Sequence, residues 1–509
     1  MKSARRIFQV IFFLFFLFLF FQARYPYETS IPSDLFLRSS PLVGLMTIIS
    51  SRSFIHTVIP AFIILLLTIP FGRFFCGWVC PLGTIIDVND FFIKRKKPKR
   101  REGESRRFRF LKFFILFAIL VAAIFSLQFI WLFDPIVLLT RTLTLTIYPV
   151  FVFLLTGMFD FAFKIGFLED QVYTTYDFFQ NSVLPIERPE FFAGIAVLFL
   201  FAGILVLGLV SKRFWCRNIC PLGALLGIFS KYRLTKRYVS DNCTKCGQCQ
   251  ISCKMNAIED DYTINNTVEC IECGECVAVC KPRAVSYKFG KNAGTNEIDF
   301  SRRRLIQSGL TGLSLLAVVK AAAKDKTKEG MAIRPPGAVP EAQFLDRCIR
   351  CQECVRICST TGGCLQPSVL ESGWEGIWSP IAVNSIGYCE YNCNLCGQVC
   401  PSGAIQNISI EEKQKVKMGT AYFDKSRCIP WYSQQDCLVC EEHCPLPDKA
   451  IKFDVREVRT PDGSYRIVKF PYVDEALCTG CGICENKCPI VGKKGIFVTA
   501  AKNERIEPV

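Results

Sequence analysis

Cysteine recurs along this chain at a fixed spacing, C-x2-C-x2-C-x3-C, and that spacing limits the fold more than any other feature. A loop carrying four thiols in this order wraps a cubane iron–sulfur cluster. Two such runs lie close together. One is CTKCGQCQISC, with Cys243, Cys246, Cys249 and Cys253, and the other is CIECGECVAVC, with Cys270, Cys273, Cys276 and Cys280. Each holds a glycine inside its first triple, Gly247 or Gly274, where the backbone must curl tightly. In two-cluster ferredoxins the fourth Cys of each run ligates the other cluster. That rule predicts one cubane on Cys243, Cys246, Cys249 and Cys280, and a second on Cys270, Cys273, Cys276 and Cys253.

Four more sets follow. Cys348, Cys351, Cys354 and Cys358 are regularly spaced, as are Cys478, Cys481, Cys484 and Cys488. Cys389, Cys393, Cys396 and Cys400 have one extra residue in the first gap, and Cys428, Cys437, Cys440 and Cys444 have a long first gap. Six sets predict six [4Fe-4S] clusters. Spacing does not say which fourth Cys crosses to which neighbour here. Cys364, in STTGGCLQP, is left over; it reads as a buried thiol, or as a replacement for Cys358. Disulfide frameworks space their thiols irregularly in short secreted chains, and structural zinc uses paired C-x2-C knuckles. Histidine is scarce: only His56 and His443 occur. A bis-His haem or a Rieske centre needs a close pair, and no C-x-x-C-H is present for covalent haem. No haem is expected.

Apolar residues concentrate before Val210, and nearly all Cys lie after it. Ile7–Phe21, Thr57–Phe75, Phe108–Leu132 and Phe191–Val210 read as membrane spans. The net charge of +16 owes half its value to Lys94–Arg109, where ten basic residues face Glu102 and Glu104. Lying between spans, this segment fits a cytoplasmic loop under the positive-inside rule, and nucleic acid is not the expected partner. Arg213 and its basic neighbours after the fourth span place that end inside too. An even number of crossings then separates them, so Asp134–Phe161 is expected at the outer interface; a helical pair crossing twice is the alternative.

Two further thiol pairs close spans. Phe-Cys76-Gly-Trp-Val-Cys80-Pro-Leu-Gly ends the second, and Trp-Cys216-Arg-Asn-Ile-Cys220-Pro-Leu-Gly ends the fourth. Residues i and i+4 share a helical face, and the following Pro suits a bend. If the pairs converge they make a four-thiolate site for a seventh cubane or a zinc; a pair of redox dithiols is the rival. Arg73, Lys212, Arg213 and Arg217 lie near enough in sequence to offset cluster charge or lower thiol pKa values. The near-identity of the motifs marks an internal repeat. Downstream, Ser301-Arg302-Arg303-Arg304-Leu305 precedes a mildly apolar stretch to Ala323 and a Pro-containing linker, Lys324–Ala342. This reads as an internal twin-arginine export segment, or as a basic patch before a short amphipathic helix.

These residues carry a family resemblance. Spans with two C-x3-C-P motifs followed by two ferredoxin runs, over about Met1–Lys291, resemble the NapH-type membrane ferredoxins, relatives of NosR. The twin-arginine pattern followed by four cluster motifs, over about Asp299–Val509, resembles the NapG/MauM periplasmic ferredoxins. Lys254 and Lys281 depart from the pattern, standing where Pro usually follows the fourth Cys. The expected fold class is an α-helical membrane bundle of about four spans plus a later signal/anchor helix, joined to α+β bacterial-ferredoxin-like polyferredoxin modules. The expected domains are 1–237 in the membrane, 238–291 as a two-cluster module, 299–342 as twin-arginine segment, helix and linker, and 343–509 as a four-cluster domain. The resemblance implies quinol oxidation at a bacterial inner membrane and delivery of electrons to a periplasmic reductase or cytochrome. It further implies a cytoplasmic N-terminus and first module, and a periplasmic C-terminal domain. His56, Asp134 and Arg141 are candidates for quinone contact, being polar groups beside apolar segments. A redox-sensing or assembly factor for a metalloenzyme, and an all-cytoplasmic ferredoxin-to-quinone conduit, are the competing functions.

Overall fold

Proline writes several of the helix starts in this chain. Pro41, Pro81, Pro135 and Pro221 each sit in the first turn of a helix, where a missing N–H costs nothing. The residues before them, Ser40, Cys80, Asp134 and Cys220, are the caps. Two of those caps are cysteines of the C-x3-C-P motifs, so the same residues that start a helix present the thiols.

The computed structural model describes residues 2–93, 108–166, 169–185, 188–290, 301–323, 332–459 and 464–507. Most of the basic segment Lys94–Arg109 and the stretch 324–331 of the expected linker lie outside the described residues. The chain divides into two units. The first takes residues 1–22, 29–143 and 194–321, and the second takes 23–28, 144–193 and 322–509.

In the first unit, apolar helices Lys2–Gln22, Pro41–Ser51, Ile59–Phe71, Phe110–Ile124 and Gly194–Val206 pack with Pro81–Phe92 and Pro221–Ser230. A small ferredoxin-like module follows. Its ends pair as antiparallel strands Thr235–Val239 and Val285–Phe289, with Thr235 opposite Phe289. Between them, helices Gln248–Ser252 and Glu275–Ala278 start at Gly247 and Gly274, whose φ values are 72° and 71°. Only glycine adopts that conformation without strain. Helix Arg302–Ala323 belongs to the same unit. Its Gly309 and Gly312 lie against Phe117, Ala118 and Val121 of Phe110–Ile124, and Arg304 stacks on Phe110 at 4.0 Å.

Among the described residues two helices are long and apolar enough to cross a membrane, Lys2–Gln22 and the continuous run Pro135–Ile165. The second covers the segment expected at the outer interface, Asp134–Phe161, and runs through it as one helical stretch. Asp134 and Pro135 do not interrupt this segment; they cap and start it, with the Asp134 carboxylate accepting from the Ile136 and Val137 N–H groups. Pro149 removes one helical bond, and a π turn at Leu143–Ile147 lies just before it. The other expected spans form shorter apolar helices.

In the second unit, helix Glu169–Ser182 packs on Tyr148–Ile165 through Tyr176 and Phe179 against Phe159. The cysteine-rich region builds short antiparallel pairs: Leu365–Pro367 with Pro380–Ala382, Thr420–Phe423 with Ile496–Thr499, and the long hairpin Ile451–Arg459 with Tyr465–Val473. Short helices such as Glu353–Cys358, Leu395–Gln398, Val439–Glu442 and Ile483–Lys487 carry later members of the thiol sets. Each thiol loop therefore has a strand or helix behind it rather than open chain.

Candidate iron–sulfur centres

The two C-x3-C-P motifs build matching halves of one site. In each, the turn is widened so that the second cysteine N–H reaches back five residues: Cys80 to the Phe75 carbonyl at 2.9 Å, Cys220 to the Trp215 carbonyl at 3.0 Å. Single π-type turns of this sort redirect side chains. The Cys220 sulfur accepts the Gly223 N–H at 3.4 Å, and Cys80 meets Gly83 in the same way. Helix N-termini favour negative charge, and each Cys-Pro-Leu-Gly sets its second sulfur at a helix start with a backbone N–H aimed at it. All four sulfurs, Cys76, Cys80, Cys216 and Cys220, lie close enough for each to feel the others' charge. The structure brings these pairs together.

Arginine crosses between the halves. Arg73 stands three residues before Cys76, and Arg213 three before Cys216. Arg213 Nη2 donates to the Gly83 carbonyl at 3.2 Å, and Nη1 to the Cys76 carbonyl at 3.2 Å. Arg73 lies over Gly223 so closely that a Cβ there would sit 2.6 Å from its Nη2. Glycine is required by that approach. Counter-ions differ between the halves. Asp87 grips Arg213 at 2.8 and 2.9 Å, and takes Arg5, Gln9 and Lys254 as well. Among the described carboxylates Arg73 has only Glu269, at 3.4 Å, and Glu269 is already bound by Lys112 at 2.6 Å. Among its protein contacts Arg73 leaves Nε and Nη2 without a hydrogen-bond partner although fully buried. A buried donor left in this state costs free energy; the Cys76 sulfur lies within its reach, and an anionic cluster among the four sulfurs would satisfy it. Sequence reasoning named both arginines; it missed Asp87, Glu269 and Lys112, whose only signal is charge within apolar surroundings. It also treated Lys254 as a family departure. Lys254 pairs with Asp87 at 3.0 Å, which no proline does.

The C-x3-C-P motifs touch the ferredoxin module directly. Gly77 has no room for a Cβ against the Ile271 carbonyl, and Trp78 Nε1 donates to the Glu272 carbonyl at 3.3 Å. Cys76 and Cys216 pack with Cys253, Cys270 and Cys273 around Met255, Ala257 and Ile271. Cys253, Cys270, Cys273 and Cys276 line one cavity. Cys249 feels the charge of Cys243 and Cys246, and Cys280 packs with it around Ile258 and Val285. The Tyr287 hydroxyl approaches Cys270 and Cys276 sulfurs at 3.6 and 3.9 Å.

Geometry also sorts the second unit. Cys348, Cys351, Cys354 and Cys400 line one cavity, and Cys428, Cys437, Cys440 and Cys488 another. Cys478, Cys481 and Cys484 gather with Cys444. Cys389, Cys393 and Cys396 gather with Cys358. The fourth cysteine thus crosses between Cys348 and Cys389 runs, and between Cys428 and Cys478 runs. Cys364 lies 4.0 Å from Cys358, sulfur to sulfur. Its thiol donates to Cys358, which the Gly363, Cys364 and Leu365 N–H groups also face, and this holds Cys358 below the usual thiol range. Cys364 is pushed up in return. Burial pushes Cys348 up to about 11 and Cys389 and Cys440 up to about 12. Such thiols keep their protons until a metal displaces them.

The quinone candidates have structural partners. Asp134 also accepts from the Ser40 hydroxyl at 2.7 Å, and Arg141 donates to the Trp131 carbonyl at 3.0 Å while lying over its ring. His56 is exposed, edge-on to Phe54.

A zinc tetrahedron with Zn–S bonds of about 2.3 Å holds sulfurs about 3.8 Å apart. Among the described residues no three His, Cys, Asp or Glu side chains converge tightly enough for a single ion. The wider thiol sets fit a multi-iron cluster. The 4Fe-4S binding domain family matches residues 54–100, 193–239 and 396–417 in one form, 471–491 in another, and 240–256, 269–288 and 345–361 in a third. Both C-x3-C-P motifs fall within the first form. The methylamine utilization ferredoxin-type protein MauM of Methylorubrum extorquens is 33% identical over 211 residues, covering 39% of this chain and 88% of the relative. The chain belongs to the MauM/NapG ferredoxin-type family. MauM of Paracoccus denitrificans is 34% identical over 191 residues, covering 37% of the chain and 79% of the relative. The ferredoxin-type protein NapG of Escherichia coli is 34% identical over 194 residues, covering 37% and 80%. No solved structure matches the chain. As a MauM/NapG-type polyferredoxin it carries [4Fe-4S] clusters and transfers electrons, acting with redox partners.

Proposed function

We propose that the chain is a membrane-bound conduit holding seven [4Fe-4S] clusters, three in the first unit and four in the second. The observation that carries this reading is the convergence of Cys76, Cys80, Cys216 and Cys220 against the loop of Cys270 and Cys273. The first unit then orders its centres from the C-x3-C-P site, through Cys253/270/273/276, to Cys243/246/249/280. The second unit forms a line of four. Cys354 feels Cys396, the Cys389 N–H donates to the Cys481 carbonyl at 2.9 Å, and Cys484 feels Cys440. The order is Cys348, Cys389, Cys478, then Cys428 sets. Bound cubanes supply one-electron steps, tuned by hydrogen bonds and burial. This chain's own residues hold them within reach of one another and keep water from them.

Quinol of the membrane pool is the proposed reductant, taken up among the apolar helices. Of the three candidate contacts, His56 has the exposed side chain; Asp134 and Arg141 serve the fold as well. The cytoplasmic side receives residues 1–237 at their C-x3-C-P ends and the 238–291 module. Residues 299–342 lead to a periplasmic 343–509 domain that serves a reductase or cytochrome. Iron content and low-temperature EPR of the purified chain test the count. The reading requires seven clusters, six in the Cys76→Ser/Cys216→Ser variant, and reduction by quinol in membranes. Six in both proteins, or no reduction by quinol, would sink it.

A further inference from the structure

Burial runs backwards on one short helix of the second unit. In Ile410–Lys415 the apolar Ile410 stands exposed, while the charged Lys413 is only 5% exposed. Lysine is rarely buried without a partner charge. The helix start is well held. Ser409 caps it, its hydroxyl accepting the Glu412 N–H at 3.2 Å while the Glu412 carboxylate accepts the Ser409 N–H at 2.8 Å.

The Lys413 Nζ donates to the Glu390 and Tyr391 carbonyls at 2.6 and 2.9 Å. Both belong to Cys389-Glu390-Tyr391-Asn392-Cys393, the gap that is one residue longer than in the regular sets. Gln414 donates to the Asn392 side chain at 3.0 Å, and Asn394 to the Ile408 carbonyl at 2.7 Å. The longer gap is thus folded against the helix. Further on, the same segment reaches the next set. The Met418 N–H donates to the Thr479 carbonyl at 2.9 Å, inside Cys478-Thr479-Gly480-Cys481. The Cys389 N–H donates to the Cys481 carbonyl at 2.9 Å. Residues 408–418 therefore tie together the loops of the two central sets. From this segment the Lys413 charge reaches the sulfurs of Cys389, Cys393, Cys396 and Cys481.

Two carbonyls are a poor exchange for the water a buried ammonium gives up, and such a charge calls for a counter-charge. Among the described residues no carboxylate pairs with Lys413. Glu411 and Glu412 of its own helix stand exposed, and Glu412 is engaged by Ser409. The thiolate sets on either side would supply the missing negative charge once loaded.

We propose that Lys413 is a positioning residue shared by the two central clusters: its ammonium shapes the long gap of the Cys389 set and sets one positive charge beside the sulfurs of both the Cys389 and Cys478 sets, easing the reduction of each. The proposal rests on the reading of four clusters in the second unit. An electron passing between these two centres stays beside the same cation, so that step is kept nearly level. One electron leaves the reduced cluster and enters the oxidised one; no proton moves and no bond is made or broken.

The test is an EPR-monitored potentiometric titration of the full-length chain in detergent, beside its iron content, with signals assigned from Cys396→Ser and Cys484→Ser chains. Lys413→Gln keeps a donor for the loop carbonyls but no charge. Both central clusters should become at least about tenfold harder to reduce, a fall of about 59 mV in each midpoint. Lys413→Arg keeps the charge and should hold both midpoints. Lys415→Gln removes an exposed charge of the same helix, already screened by solvent, and should move neither. The proposal is overturned if, with full iron, neither midpoint or only one falls in Lys413→Gln, or if Lys413→Arg lowers them as much. Should the glutamine chain load less iron, the arginine chain decides: midpoints held with iron restored support the proposal, and midpoints that fall overturn it. Wild-type iron short of seven clusters, with both signals still shifting together, counts against the conduit reading and for the role of Lys413.

Discussion

Replacing Arg73 by methionine should lower the midpoint potential of one cluster and leave the others where they are. Arg73 is fully buried, its Nη1 bonds the Val268 carbonyl at 3.0 Å, and its Glu269 contact is long. Because Lys112 holds Glu269 at 2.6 Å, removing Arg73 does not strand that carboxylate. The change near the four sulfurs is therefore close to the loss of one positive charge. At about 6 Å and an effective dielectric of about 20, a unit charge is worth roughly 3 kcal/mol. That converts to a shift of about 120 mV for a one-electron couple, at 59 mV per tenfold change. Water entering the space left behind would reduce it, and a fall of at least about 50 mV is expected. The assay is an EPR-monitored potentiometric titration of the whole chain beside its iron content. Arg73→Lys keeps the charge and should retain most of the potential. Gly223→Ala displaces the guanidinium without removing it and should give an intermediate fall. An unchanged midpoint in Arg73→Met protein with full iron would refute the reasoning, as would a rise.

Asp87→Ala leaves Arg213, Arg5 and Lys254 without their shared carboxylate, and breaking a buried pair from one side costs about 3–5 kcal/mol; heat denaturation in detergent should show a lower midpoint, with Asp87→Asn milder. Cys364→Ala removes a thiol donor to Cys358 but not a ligand, so iron content should hold while one cluster's midpoint moves down; loss of a cluster instead would make Cys364 the ligand. Gly312→Leu puts a side chain against the Ala118 carbonyl and Val121, and overpacking of this kind costs about 1–3 kcal/mol; faster proteolysis of helix Arg302–Ala323 in detergent measures it.

Thiol loops were legible because a cubane is held mainly by neighbours in sequence, and local spacing survives any arrangement of the rest. The crossing partners were legible only where a two-cluster rule applied. Cys358 and Cys400 exchange for reasons that lie in how the runs pack. The approach of Cys364 to Cys358 depends on a Thr-Gly-Gly turn whose Gly363 N–H reaches the Cys358 carbonyl at 2.9 Å. The two C-x3-C-P pairs announced themselves as a repeat, but their convergence is a property of helix packing across the whole first unit. That Pro135–Ile165 runs as one continuous helical stretch was not legible from single residues. Asp134 and Pro135 signal interruption in an apolar run, yet at a helix start they are the best cap and first residue available. Asp87 and Glu269 had no motif at all, since counter-ions are chosen by position in space.

The crossed arginines carry one further consequence. Arg73 reaches the Cys76 sulfur of its own half and lies over Gly223 of the other, and Arg213 pairs with Cys216 of its own half while bonding the Cys76 and Gly83 carbonyls of the other. Each repeat brings two sulfurs and one cation, and each cation spans both halves. A chain bearing a single copy would need a second copy of itself, turned about a twofold axis, to close the same cage. In one chain the cage closes only after both repeats and the helices between them have been laid down. A cluster loaded there would certify that the bundle has finished folding.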